Sequence, residues 1–218
     1  MTTRISGEVN MSKRIWTWIA GLVFASGASA SGVQSLRTLD EASAYLEQQN
    51  LGEVRHYSTR DFGRDQYSGA RSVVVKPELA ETLLRDLRGR LGPGLVAFIG
   101  TTNSLAAPPS VGAEIVIGKG TSQFDVLRIA ASDAVNHGMG TEDLIKKLRT
   151  WDAAYGIDIF QAETDTIQFR LKKPPRDMRA FAKDLYAFCP DIVDQGTLTV
   201  DALQKEIERT HTVFLWWD

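Results

Sequence analysis

From residue 72 onward the apolar residues change their spacing repeatedly, and each change bounds an element. Residues 72–76 are a β-branched run that suits a strand. Pro77 then stands where a first helical turn tolerates proline, and Leu79, Leu83, Leu84, Leu87 and Leu91 follow at helical spacing. Gly92-Pro93-Gly94 stops that helix. Residues 95–99 and 114–117 are two further apolar strands, with a Ser/Ala/Pro loop over 101–112 between them. The alternation predicts an α+β body that begins with a strand–helix–strand–strand unit.

The remainder of the chain carries the same kind of pattern. Residues 124–130 read as a strand. Thr141 and Glu142 open a helix whose Leu144, Ile145, Leu148, Trp151 and Tyr155 share a face, and Gly156 caps it. Residues 157–161 and 166–171 alternate as a hairpin around Thr164-Asp165. Pro174-Pro175 introduces a helix with Met178, Phe181, Ala182, Leu185 and Phe188 inward. Residues 190–196 form a structured loop, 199–209 a last helix with Val200, Leu203 and Ile207 buried, and 212–216 a closing strand. That order predicts a ferredoxin-like (split βαβ) sandwich over 121–218, preceded by a smaller βαββ unit over 31–120. The smaller unit begins with a helix that Thr38 and Glu41 introduce as a capping box, followed by a short strand over 54–57 and a polar loop over 58–70.

Residues 1–30 read as a secretory signal. Lys13 and Arg14 supply a basic start, residues 15–25 are apolar but for Thr17 and Gly21, and Ala28-Ser29-Ala30 is a small-x-small cleavage pattern. The run is short of the about 20 apolar residues that a spanning helix needs, so an uncleaved anchor is the lesser alternative. Either Met1 or Met11 serves as the start under this reading. The expected product begins at Ser31 in the periplasm and is not an integral membrane protein.

Cleavage there removes Arg4, Lys13, Arg14 and Glu8, so the mature chain holds 22 basic and 26 acidic residues, a formal charge of −4. A mildly acidic chain without a basic block argues against nucleic acid as a partner. Cys189 is the only cysteine, which excludes an intramolecular disulfide; between Phe188 and Pro190 it reads as a buried, inert thiol.

Several blocks of the C-terminal half occur in a fixed order: Phe124-Asp125-Val126-Leu127, Thr141-Glu142-Asp143, Tyr155-Gly156-Ile157-Asp158-Ile159, Cys189-Pro190-Asp191, and Leu215-Trp216-Trp217-Asp218. In these blocks residues 115–218 resemble an uncharacterised bacterial family, domain of unknown function 4253, whose members end in the same tail. The resemblance carries no established activity. Some exported relatives look like immunity proteins, which implies a protein partner, a cognate toxin.

The residues themselves point to little chemistry. Asp191, Asp194 and Gln195 offer three oxygen-bearing side chains, too few for calcium, which takes about six to eight oxygens. The segment reads instead as a structural loop that includes Cys189, Asp191 and Asp194, in which Asp191 and Asp194 hydrogen-bond loop N–H groups and cap the next turn. Gly118-Lys119-Gly120-Thr121-Ser122 lacks phosphate-loop spacing and reads as a turn between two strands. His56, His137 and His211 have no zinc spacing, and there is no G-x-S-x-G. No catalytic residue, metal or cofactor is therefore expected, although folding can bring distant residues together. Trp216 and Trp217 should face opposite sides of the last strand, one in the core and the other, Trp217, either a surface anchor or covered by the helix over 176–188. Asp61, Arg64, Asp65 and Tyr67 in the polar loop are the remaining candidates for partner contact. The expected function is that of a periplasmic immunity protein that occludes an envelope-acting effector of the phospholipase or peptidoglycan hydrolase class. The alternatives are an envelope enzyme with an unrecognised site and a non-catalytic structural or adaptor domain.

Overall fold

The computed structural model describes residues 35–49, 51–58, 69–100 and 112–218. The signal expected over 1–30 and nearly all of the loops expected over 58–70 and 101–112 lie outside the described residues. Among the described residues no helix is long and apolar enough to cross a membrane.

The first elements follow the sequence pattern closely. Helix α1, Leu39–Gln48, starts in the expected capping box: Thr38 Oγ1 accepts from Glu41 N at 3.1 Å and Glu41 Oε2 accepts from Thr38 N at 3.2 Å. Then come β1 (Arg55–His56), β2 (Arg71–Val75), α2 (Pro77–Arg90) with its proline in the first turn, β3 (Leu95–Ile99) and β4 (Ala113–Lys119). After β4 one expectation fails. The segment expected to be a strand over 124–130 is a helix, α3, Asp125–Ala130. Its Val126, Leu127, Ile129 and Ala130 are buried, while Asp125 and the exposed Arg128 pair three residues apart, and a run this short does not separate a helix from a strand by its apolar spacing. Asp125 decides the matter locally. Its carboxylate accepts from Thr121 N at 2.8 Å and Ser122 N at 2.9 Å, tying the preceding turn back onto the first residue of the helix. The Gly118–Ser122 turn therefore leads from a strand into a helix. Gly120 is needed in it because an added Cβ would lie 2.8 Å from Asp125 Cβ and 2.9 Å from Val96 Cγ2.

A short 3-10 turn, Val135–His137, leads to α4 (Thr141–Tyr155), the hairpin β5 (Ile157–Ala162) and β6 (Thr166–Leu171), α5 (Met178–Phe188), a π-helical turn (Ile192–Thr197), α6 (Val200–Thr210) and β7 (Thr212–Trp216). All seven strands form one mixed sheet in the order β1-β2-β4-β3-β5-β6-β7. The α+β class holds. The separate ferredoxin-like sandwich does not, because its first strand is α3, and the strand beside β5 is β3 from the preceding unit.

Alternation along the strands sorts the core into two layers. Val73, Val75, Ala97, Ile99, Ile115 and Ile117 face α1 and α2. Phe98, Val116, Ile157, Ile159, Ile167, Phe169, Val213 and Leu215 face the opposite way, with α3 to α6. The seam between the halves is unusual. β3 and β5 are parallel and register at one pair, Ile99 with Gln161. Elsewhere along the seam side chains do the joining. The Gln123 amide donates to Ile157 O at 3.2 Å and accepts from Ile159 N at 3.0 Å, as a neighbouring strand would. Arg88 on α2 donates to Ala97 O at 2.7 Å, to Ile159 O at 2.6 Å and to Asp158 Oδ1 at 2.8 Å. Burial lowers the Arg88 pKa, and the Asp158 charge offsets part of that effect.

Candidate functional site

The Cys-Pro-Asp loop and the Trp-Trp-Asp tail meet at one place, the end of β7. α5 closes at Phe188, and Cys189 N still donates to Leu185 O at 2.8 Å. The Pro190 carbonyl accepts from Val193 N at 2.9 Å and Asp194 N at 3.0 Å, which starts the wide π-helical turn. Thr199 then caps α6, its Oγ1 accepting from Ala202 N at 3.1 Å.

Cys189 is fully buried, as expected, and its sulfur faces the edge of β7. The thiol donates to Trp216 O at 3.0 Å and accepts from Trp216 N at 3.4 Å. Burial pushes the thiol pKa up to about 12, the reverse of what a nucleophile needs. The edge context explains the contact. Leu171 N bonds His211 O and Trp217 N bonds Asp165 O, so 211, 213, 215 and 217 pair with β6 while Thr212, Phe214 and Trp216 turn their backbone outward. Cys189 covers Trp216, and Thr210 Oγ1 covers the Thr212 N–H at 3.2 Å. An edge strand that would otherwise template pairing is thus largely closed.

Both tryptophans are buried, Trp216 at 8% and Trp217 at 3% relative exposure. The surface-anchor reading of Trp217 is corrected: its ring stands edge-on to Phe188 at 5.6 Å, and Nε1 donates to Phe188 O at 3.4 Å. Phe188 in turn meets Trp151 at 5.4 Å, and Trp151 meets Phe181 at 5.9 Å, so the tail ends a row of edge-to-face rings. Trp151 Nε1 is anchored on Asp184 at 2.7 Å beside Lys147 Nζ at 2.6 Å from the other oxygen. Burial opposes the Asp184 charge, but these two donors outweigh it and hold the carboxyl below its ordinary range.

Asp191 and Asp194 are structural, but through other partners than the expected loop N–H groups. Asp191 Oδ2 accepts from Asp218 N at 3.0 Å and lies 3.0 Å from His137 Nε2, and its Oδ1 accepts from Gln195 Nε2 at 3.4 Å. Asp194 Oδ1 accepts from the Tyr186 hydroxyl at 2.8 Å. His137 is the residue that sequence reasoning missed. It lies 54 positions before Asp191, and nothing in their local patterns links them. A His–Asp pair is the arrangement that orients an imidazole for proton transfer. Among the described residues no group of three or more His, Cys, Asp or Glu side chains could hold a metal ion.

Asp61, Arg64, Asp65 and Tyr67 lie outside the described residues. At the far edge of the sheet, α1 and β1 border an open groove of about 340 Å³ lined by Asp40, Ser43, Glu47, His56 and Arg71, and none of the C-terminal motif residues reaches it. None of the curated proteins and none of the solved structures matches the chain. Residues 114–218, which hold β4 to β7 and every residue of the junction at Asp191, match the model of a family described as a domain of unknown function (DUF4253).

Proposed function

We propose that the chain is an envelope immunity protein that neutralises an antibacterial effector by stoichiometric binding and occlusion, without turnover. The effector class is a phospholipase or peptidoglycan hydrolase, and the working form begins at Ser31 after export. The observation that carries this reading is the use made of the rarest motif residues. Cys189, Asp191, Trp216, Trp217 and Asp218 are all committed to joining the loop to the tail, which makes a rigid scaffold for recognition rather than a reactive centre. The signal-like order of residues 1–30 and the mature charge of −4 support an exported partner for a basic effector surface. Protection is the test. Cells lacking the gene should be killed by sister cells that carry the effector, and an exported copy should rescue them through a complex that can be isolated. Rescue without a complex would remove occlusion as the mechanism.

The His137–Asp191 pair favours a second reading, an envelope enzyme that uses this imidazole as an acid–base group. Replacing His137 with Gln separates the two. A binder keeps its protection, whereas an enzyme loses turnover with its fold intact.

A further inference from the structure

The two edges of the sheet end differently. Cys189 and Thr210 cover the outward backbone of β7, whereas among the described residues nothing comparable covers β1. Tyr57 N donates to Ala70 O at 3.1 Å, and the register sets His56 opposite Arg71. His56 therefore occupies a non-hydrogen-bonded position of the ladder, and its N–H and C=O point away from β2. Neither group has a partner among the described residues. His56 also lines the open groove of about 340 Å³ between β1 and α1, and the two walls of that groove differ in charge. One wall is basic. Arg71 Nη1 lies 3.0 Å from His56 Nδ1, and a guanidinium can only donate. Nδ1 is thus the acceptor, which puts the proton of the neutral ring on Nε2 and makes both side chains donors toward the groove. Arg71 otherwise meets only Ala70 O, at 3.3 Å, among the described residues. The other wall is the α1 stripe of Asp40, Ser43, Ala44 and Glu47, which share one helix face. Among the described residues neither carboxylate pairs with Arg71 or with any other cation. Opposite charges line one groove without meeting, and the small Ser43 and Ala44 leave room between them.

We propose that this groove takes an extended peptide, which adds to β1 as a further strand and sets an acidic side chain against Arg71 and His56 and a basic one against Asp40 and Glu47. An open strand edge recognises a peptide backbone, and the two walls require both signs of charge. A free amino acid would match the charges and leave the His56 N–H and C=O unpaired. Arg71 and His56 share the sheet face of Val73 and Val75, on which α1 packs. On an added strand, side chains two positions apart share that face, so the acidic and basic residues of the peptide stand two positions apart. Asp40 and Glu47 are about 10 Å apart along α1, the length of about three extended residues. β1 has only two residues, so its backbone supplies one pair of bonds and the charged walls supply the selectivity. Every residue of the groove precedes the family match at 114, and the peptide site stands apart from the binding reading above.

The experiment titrates the isotope-labelled full chain with a short β-branched peptide that carries Glu and Lys two positions apart, and follows the backbone amides by nuclear magnetic resonance. Binding at the groove moves the His56 and Ala44 amides first. A peptide with Glu and Lys adjacent should bind about tenfold more weakly or worse, because its charges fall on opposite faces. Methylating one alternate set of peptide amide nitrogens should abolish binding, and methylating the other set should leave it. Arg71→Gln should weaken binding about tenfold or more. Glu47→Lys puts a cation in the last turn of α1, where the helix favours one, so it should unfold at an equal or higher denaturant concentration. The same variant should come to prefer a peptide with Glu in place of Lys, a reversal that loss of the fold does not produce. Several results overturn the proposal: no movement at His56, equal binding of the adjacent-charge peptide, indifference to both sets of methyl groups, Arg71→Gln within twofold of the wild type, or no reversal in Glu47→Lys. A dimer of this chain formed through the β1 edge overturns it as well.

Discussion

The two faces of the sheet are packed with different chemistry. Beneath α1 and α2 the core is aliphatic, built from Leu46, Val73, Val75, Leu84, Leu87, Ile115 and Ile117, with Phe160 as its only buried ring among the described residues. Beneath α3 to α6 it contains Phe98, Phe124, Trp151, Phe169, Phe181 and Trp217, with Phe188 packed against it. Aliphatic contacts are non-directional and tolerate repacking, whereas edge-to-face rings with hydrogen-bonded tips fix orientation. The second layer is therefore suited to holding the loop and the tail in one geometry. The first layer has to support only short strands and two helices. The seam between the halves, laced by Arg88 and Gln123 rather than by a backbone ladder, is where the difference should be most visible.

The largest expected effect is at the centre of the ring row. Trp151→Ala should cost about 3–5 kcal/mol, since it opens a cavity and leaves Asp184 without one donor. Chemical denaturation measures it. A cost below that of Leu87→Ala in the aliphatic layer would break the distinction drawn between the two cores. Arg88→Ala comes next, at about 2–4 kcal/mol, because two seam carbonyls and Asp158 lose their donor together. Trp151, Trp216 and Trp217, the tryptophans among the described residues, all lie in the C-terminal half. Their fluorescence should consequently unfold at a different denaturant concentration from far-ultraviolet circular dichroism in this variant. Coincident transitions would mean that the seam does not depend on Arg88.

Cys189→Ala should cost less, about 1–2 kcal/mol, by uncovering the Trp216 backbone at the edge of β7. Its pH signature has a definite sign. The folded thiol stays protonated up to about 12, while the unfolded thiol ionises near its ordinary 9.0. The contribution is therefore complete below pH 9 and is lost as pH rises toward 12. The stability difference between wild type and Cys189→Ala should shrink across that window. Iodoacetamide should label Cys189 only after unfolding, and rapid labelling of the folded chain would contradict its burial. The smallest effect is at α1. Thr38→Ala should cost about 1 kcal/mol by removing one half of the capping box, with tryptophan fluorescence of the folded state unchanged.

Where one element faces both core and solvent, its sequence alone was enough to identify it. The leucine stripe of α2 and the capping box of α1 were legible, because α2's period records which side meets water and Thr38 and Glu41 mark a helix start. The Cys-Pro-Asp block and the Leu-Trp-Trp-Asp tail were legible as a pair, because rare residues in a fixed order mark related chains. Residues 124–130 were not, since a seven-residue run with only Asp125 and Arg128 as polar positions is too short to tell a helical period from an alternating one. Nor was the placement of β3 beside β5. The contacts that hold it there come from Arg88 and Gln123, far from their partners along the chain. The approach of His137 to Asp191 and the covering of Trp217 by Phe188 belong to the same class. Each depends on which surfaces are near one another once the chain has closed, and local spacing carries no information about that distance.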